Sequence, residues 1–487
     1  MRPLSAAHQL LGRVPNMGDH EHPSRERDRV LDAVRLMSLA TVVAYHVLAG
    51  SPTLVKGKPA MASNYNVHWL FWLVPLMPLF FFAGAAANVH SWESGKSWGQ
   101  FLMGRATRLF RPVFYFLAVV ALITTLLRIT MGNSPQLLYL EMRHIELLWY
   151  VGAYLLTLAF MPCLARIRTA HQLGWFIAAM CLLTALTDTV SLITDTWLTT
   201  GWINMIFMWL IPAALGIGYQ RRLVPRPVAL TLASVALAAT VALAVLGPYP
   251  SGLIANMPPT LLLAASSIVE CLAVIAFAPT INRWVQGART WRFFELCNSG
   301  SMTIYLWHWV VTFLLSYGVY LTFRIGLLSQ HDAWYWPANV LRLLIVCAVV
   351  AVFFVPLRAT ERRPLPWWDR PVPAMNTGRD IAVGVLVLLG AILTLVYTRI
   401  YVIDPHWGGF TPIGRWIVVA SLVPLAAARF LCRNPLSPHC RSGNGRTAAG
   451  ALGQIDTRGP ECADCVDFRS VIDRIRTLDR RQTQSSR

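Results

Sequence analysis

Residues 31–48 read LDAVRLMSLATVVAYHVL, apolar enough to enter a membrane yet carrying Asp32, Arg35 and His46. On an α-helix, Arg35 and His46 would lie about 20° apart around the axis and about 16 Å apart along it, sharing one face at different depths. Asp32 is one turn before Arg35, close enough to orient its guanidinium. An ionisable group at membrane depth is a functional hypothesis by default. The competing reading is structural: Arg35 snorkels to the boundary and His46 bonds a neighbouring helix. If the face is functional, its residue types name the chemistry. Imidazole takes a proton near neutrality, which is what a hydroxyl needs before it can attack. Arg105 and Arg108, at i and i+3, would present two guanidinium forks on one helix face, a match for phosphate. Setting topology or binding anionic lipid is the alternative for that pair.

The frame that positions these residues is a membrane bundle. Of 487 residues, 55% are hydrophobic and 13% charged, and mean hydropathy is +0.50, too little polar surface for a soluble protein of this length. A helix needs about 20 mostly apolar residues to cross the hydrocarbon, and the long apolar runs favour helices over a barrel. Candidate spans fall near 30–50, 67–90, 111–130, 145–162, 173–193, 201–219, 228–246, 260–279, 301–322, 337–357, 381–402 and 412–429. The expected fold is an all-α polytopic membrane protein, a bundle of about twelve transmembrane helices.

Basic residues test that count. The segment before the first span and every second loop hold groups such as Arg25, Arg27 and Arg29; Lys96, Arg105, Arg108 and Arg111; Arg221, Arg222 and Arg226; and Arg358, Arg362 and Arg363. The intervening loops hold only Lys56, Lys58, Arg143 and Arg324. By the positive-inside rule both termini are expected in the cytoplasm. The same dispersal explains the net charge of +19 as topology, so no nucleic-acid partner is expected. Residues 1–29 are charged, without the pattern of a cleaved signal, and read as a cytoplasmic leader.

LDAVRLMSLATVVAYH resembles the first-helix signature of the acyltransferase-3 family of integral membrane O-acyltransferases. Further landmarks follow in the family's order. LFFFAGAA at 79–86 resembles the end of its second helix, with Ala83-Gly84 where the family usually has Ser-Gly. FLMGRATRLFRP resembles its basic RxxR stretch, through Arg105 and Arg108; LLWYVGAYLL resembles a later helix start, through Trp149. SMTIYLWHWVV resembles the late motif of Ser301, Tyr305, Trp307 and His308, and TERRPLP the close of the core, led by Glu361. The likeness covers roughly residues 28–366. It implies a ten-helix core at 30–366; beyond it, hydropathy adds a linker and two helices over 367–429, and a composition poor in large apolar groups makes 430–487 a largely disordered cytoplasmic tail.

The resemblance implies transfer of an acyl group, acetyl or another short chain, from cytoplasmic acyl-CoA. The acceptor would be a hydroxyl on a cell-envelope glycan, glycolipid or exported metabolite. Acyl-CoA is the donor substrate, and no permanently bound cofactor is expected. His46 would be the base, with Arg35, oriented by Asp32, touching the donor or the developing oxyanion; an acyl-His intermediate stays open. Arg105 and Arg108 would hold the donor's phosphates. Trp149, Ser301, Tyr305, His308 and Glu361 would line the substrate cavity, His308 either orienting substrate or holding its partner helix. Asp188 and Glu270 match no motif and read as interhelical hydrogen-bond partners. The tail's Cys432, Cys440, Cys462 and Cys465, with His439, fit no familiar zinc spacing, so no metal is expected. A plasma membrane of bacterial type is the expected location. The rival reading is a multi-helix transporter or glycan flippase, against which the halves show no internal repeat.

Overall fold

A computed structural model of the chain describes residues 28–55, 58–63, 77–132, 144–196, 200–249, 259–323, 333–403 and 420–433. Residues 1–27 of the expected leader, most of the tail with Cys440, Cys462 and Cys465, and parts of the second and twelfth expected spans lie outside them.

Helices dominate. In chain order the longer ones are α1 (Arg29–Ala49), α2 (Pro78–Glu93), α3 (Trp98–Met131), α4 (Trp149–Ala159), α5 (Ala170–Thr194), α6 (Asn204–Gln220) and α7 (Arg226–Leu246). The order continues with α8 (Leu261–Trp284), α9 (Ala288–Ser299), α10 (Ser301–Phe323), α11 (Tyr335–Glu361), α12 (Thr377–Ile403) and α13 (Val423–Leu431). After α1 a short antiparallel hairpin pairs β1 (Gly50–Val55) with β2 (Lys58–Ser63), Gly50 opposite Ser63. Among the described residues, eight helices are long and apolar enough to cross a membrane. A helix satisfies its own backbone in hydrocarbon, and its outward side chains can then be apolar on every face. Val235, Val245 and Leu246 of α7 are exposed in this way.

Burial separates inner from outer helices. In α6, 78% of the apolar window is enclosed by protein and in α1 and α8 61%, against 11% in α7 and α11. α1 therefore runs through the interior, against α2, α8, α9, α10 and α11. The α2–α6 contact is close because Gly216 faces the Phe82 carbonyl, where a Cβ would come within 2.1 Å.

Two local expectations change. The third span starts earlier than residue 111: α3 begins at Trp98, so Arg105 and Arg108 share a helix, as their spacing suggested, and Arg111 rides on it too, the helix continuing through Pro112. The loop expected between the eighth and ninth spans contains α9, whose Phe294 is buried while Arg289, Arg292 and Phe293 face outward.

The helices beyond the expected core build one wall of the bundle. α12 packs on α3 and α4. Ser97 does not cap α3 with its own side chain. Instead Asp380 of α12 accepts from Gly99 N at 3.0 Å, Gln100 N at 2.9 Å and Ser97 Oγ at 2.5 Å. A carboxylate at a helix N-terminus satisfies orphan N–H groups and faces the positive end of the dipole. Farther along α3, Arg111 pairs with Asp369 at 2.6 Å, and Trp368 Nε1 donates to the Thr107 carbonyl at 2.9 Å. Asp188 is the interhelical partner its sequence context suggested, accepting from Asn204, Tyr249 and Leu261 N. Glu270 is not: its buried Oε2 has no hydrogen-bond partner among the described residues.

Candidate active site

α1 carries Asp32, Arg35 and His46 through the interior, and the three meet different surroundings. Asp32 is buried, and its Oδ1 lies 3.9 Å from an Arg35 nitrogen. The other end of the guanidinium donates to the Ala83 carbonyl of α2 at 3.1 Å. That carbonyl precedes Gly84, where a Cβ would strike the Tyr154 ring at 2.3 Å, so a larger residue would displace that ring. Asn88 ties the corner together by donating to the Gly84 carbonyl at 2.7 Å and to the Tyr154 hydroxyl at 2.9 Å.

Beside Arg35, a cavity of about 1070 Å³ opens among α1, α2, α6 and α8, with Asp32, Arg35, His90, Gln220, Arg222 and Asn282 in its walls. Arg105 lies within electrostatic reach of Arg35 and Arg108. Lys96 completes the group: its ammonium is held below the usual lysine range by partial desolvation and then by repulsion from Arg105 and Arg108. Arg35, Arg105, Arg108 and Lys96 thus form one electrostatically linked group, and Asp32 offsets Arg35, the one of the four that lines the cavity. Such a cluster favours a polyanion. Arg111, in the same sequence run, is occupied by Asp369 and belongs to the wall instead.

Eleven residues farther along α1, His46 faces α10. Its Nδ1 lies 2.8 Å from His308 Nε2, with the two rings parallel to within 6°. His308 Nδ1 lies 3.1 Å from the Ile304 carbonyl. A carbonyl only accepts, so His308 must carry its proton on Nδ1, and a neutral His308 then accepts at Nε2. His46 must donate from Nδ1, which leaves the lone pair of its neutral ring on Nε2. The geometry thus fixes which nitrogen of His46 can take a proton, as an orienting partner does for a general base.

The remaining motif residues divide into two groups. Tyr305, one turn before His308, donates to the Leu147 carbonyl at 2.9 Å and packs its ring 6.1 Å from His308. Trp149 is buried one ring farther, beside Tyr150 and Trp209. Tyr305 adjoins the histidine pair, and Trp149 connects to it through the rings of Tyr150 and Tyr305. Glu361 lies elsewhere, accepting from Thr303 Oγ1 and from Trp307 Nε1 at 3.2 Å; it fastens the end of α11 to α10. Ser301 is half-buried in the first turn of α10, about 10 Å along the axis from His308.

Two residues near His46 escaped the sequence reading. Trp309 packs its ring 5.0 Å from that of His46. Arg342 of α11 donates to the Val47 carbonyl, one of the last-turn carbonyls of α1 that lack an intrahelical partner. Arg342 had a signal, being an arginine inside an apolar run; Trp309 had none beyond following His308. Among the described residues no cluster of His, Cys, Asp and Glu could hold a metal.

A family model described as an acyltransferase domain matches residues 28–358, from the start of α1 to the last turn of α11. No curated protein and no solved structure matches the chain. The matched segment includes both histidines and the cation cluster, and it stops short of α12. Membrane-crossing helices and this match over most of the sequence place the chain in the acyltransferase-3 family, as a membrane acyltransferase.

Proposed function

We propose that the protein takes an acetyl or other short acyl group from acyl-CoA at the cytoplasmic face. It delivers the group to a hydroxyl of an envelope glycan, glycolipid or exported metabolite. The observation that carries this reading is the His46–His308 pair, whose 2.8 Å contact and the Ile304 carbonyl beside His308 Nδ1 support a lone pair on His46 Nε2. The cation cluster supports the donor assignment. Lys96, Arg35, Arg105 and Arg108 match the donor's phosphates, and Arg35 and His46 are separated by about 16 Å of helix, the order of reach of a pantetheine arm. With the phosphates at one end, the thioester comes level with His46. The acceptor hydroxyl gives its proton to Nε2 as its oxygen attacks the thioester carbon. The tetrahedral intermediate then expels the CoA thiolate, which takes the proton from the imidazolium. Both termini lie in the cytoplasm in this reading.

The experiment is release of CoA thiol. Protein purified in detergent, given acetyl-CoA and a crude envelope extract, releases thiol; His46→Ala abolishes release while the protein keeps its thermal transition. A flippase or transporter would release none.

A further inference from the structure

In the mechanism above the thioester oxygen becomes an anion, and something beside His46 must stabilise it. Arg35 cannot serve at that point: it lies about 16 Å down the helix and is engaged with Ala83 and Asp32. Backbone N–H groups inside a membrane helix are spent on carbonyls four residues back, so an oxyanion donor within this bundle has to be a side chain. Around the histidine pair the obvious donors are committed. Tyr305 donates to Leu147, Trp307 to Glu361, and Thr312 to the His308 carbonyl at 2.7 Å.

Trp309 is different. It is 6% exposed, and its Nε1 has no hydrogen-bond partner among the described residues. Its ring is tilted 59° to that of His46. Adjacent residues on a helix point about 100° apart, so His46 sits in the angle between His308, which it hydrogen-bonds, and Trp309, which covers it. Buried indole N–H groups normally find a partner. A donor left without one beside the candidate base is arranged to receive it from the substrate.

We propose that Trp309 is a catalytic residue, donating its indole N–H to the thioester oxygen as the tetrahedral intermediate forms. The π pair of the carbonyl moves onto that oxygen as the acceptor's oxygen bonds to carbon. The N–H bond to it strengthens, and the pair returns when the C–S bond breaks. No proton leaves the indole. The proposal rests on His46 being the base.

The test uses the full chain in detergent with acetyl-CoA, in two variants. Trp309→Phe keeps an aromatic ring without the donor, and 3-benzothienylalanine at 309 keeps the shape of tryptophan with sulfur in place of N–H, so folding is preserved even if phenylalanine disturbs it. Loss of one oxyanion donor lowers kcat by about 100-fold or more and leaves KM for acetyl-CoA within about threefold. Because the N–H has no hydrogen-bond partner among the described residues, the thermal transition stays put or rises. A purely packing role predicts wild-type kcat in the benzothienyl variant, and that result overturns the proposal. An active His46→Ala enzyme would instead remove the reading beneath it.

Discussion

Replacing His308 isolates the tautomer argument. In His308→Leu a side chain of similar bulk occupies a fully buried position, but the 2.8 Å acceptor for His46 Nδ1 is gone. His46 then loses the hydrogen bond that favours its proton on Nδ1, so part of the population carries the proton on the nitrogen that should accept one. A buried donor stripped of its acceptor costs about 1–3 kcal/mol. At about 1.4 kcal/mol per tenfold, this lowers kcat by about 5- to 150-fold. KM for acyl-CoA should hardly move, since the cations assigned to the phosphates are a different set of residues. His308→Gln restores an acceptor and should recover part of the loss. Initial rates of thiol release over a range of acetyl-CoA concentrations, with a thermal transition to confirm folding, give both constants. A folded Leu variant with wild-type kcat, or one whose loss lies wholly in KM, would refute the reasoning.

Three further outcomes follow from other contacts. Asp380→Ala removes the cap of α3 and should destabilise the protein by about 1–2 kcal/mol, raising KM for acyl-CoA more than it lowers kcat, because that helix carries Arg105 and Arg108; chemical denaturation in detergent and steady-state kinetics check it. Arg342→Met frees the Val47 carbonyl at the His46 end of α1 and should lower kcat more than KM, the reverse split, in the same assay. Lys96 is held below the usual lysine range, so it loses its charge earlier than a free lysine as pH rises. KM for acyl-CoA should therefore climb with alkaline pH, and Lys96→Met should start from the higher KM and climb less.

Much of the helical order was legible because a membrane segment announces itself by composition. The described parts of the expected spans are largely helical, but eight of the described helices, not about twelve, are long and apolar enough to cross a membrane. The start of α3 was only partly legible: spacing put Arg105 and Arg108 on one helix face, but it did not disclose that the helix begins at Trp98, where a carboxylate 280 residues away caps its N-terminus. No local pattern discloses such a partner. Spacing also put Arg35 and His46 on one face, since helix periodicity is fixed. It could not show that Arg35 is tied to Ala83, that His46 meets His308 across 262 residues, or that Glu361 is held by Thr303 and Trp307 away from the histidines. Glu270 is the converse: an intramembrane carboxylate suggests a partner, and packing supplied none to its Oε2 among the described residues.

The central claim is that a hydroxyl proton passes to His46 while acyl-CoA is cleaved. Thiol release from acetyl-CoA by the purified protein and its His46→Ala variant, with equal thermal transitions and a crude envelope extract as acceptor, measures it most directly. Release by the first and none above background by the second is the predicted result; equal release by both would contradict the account.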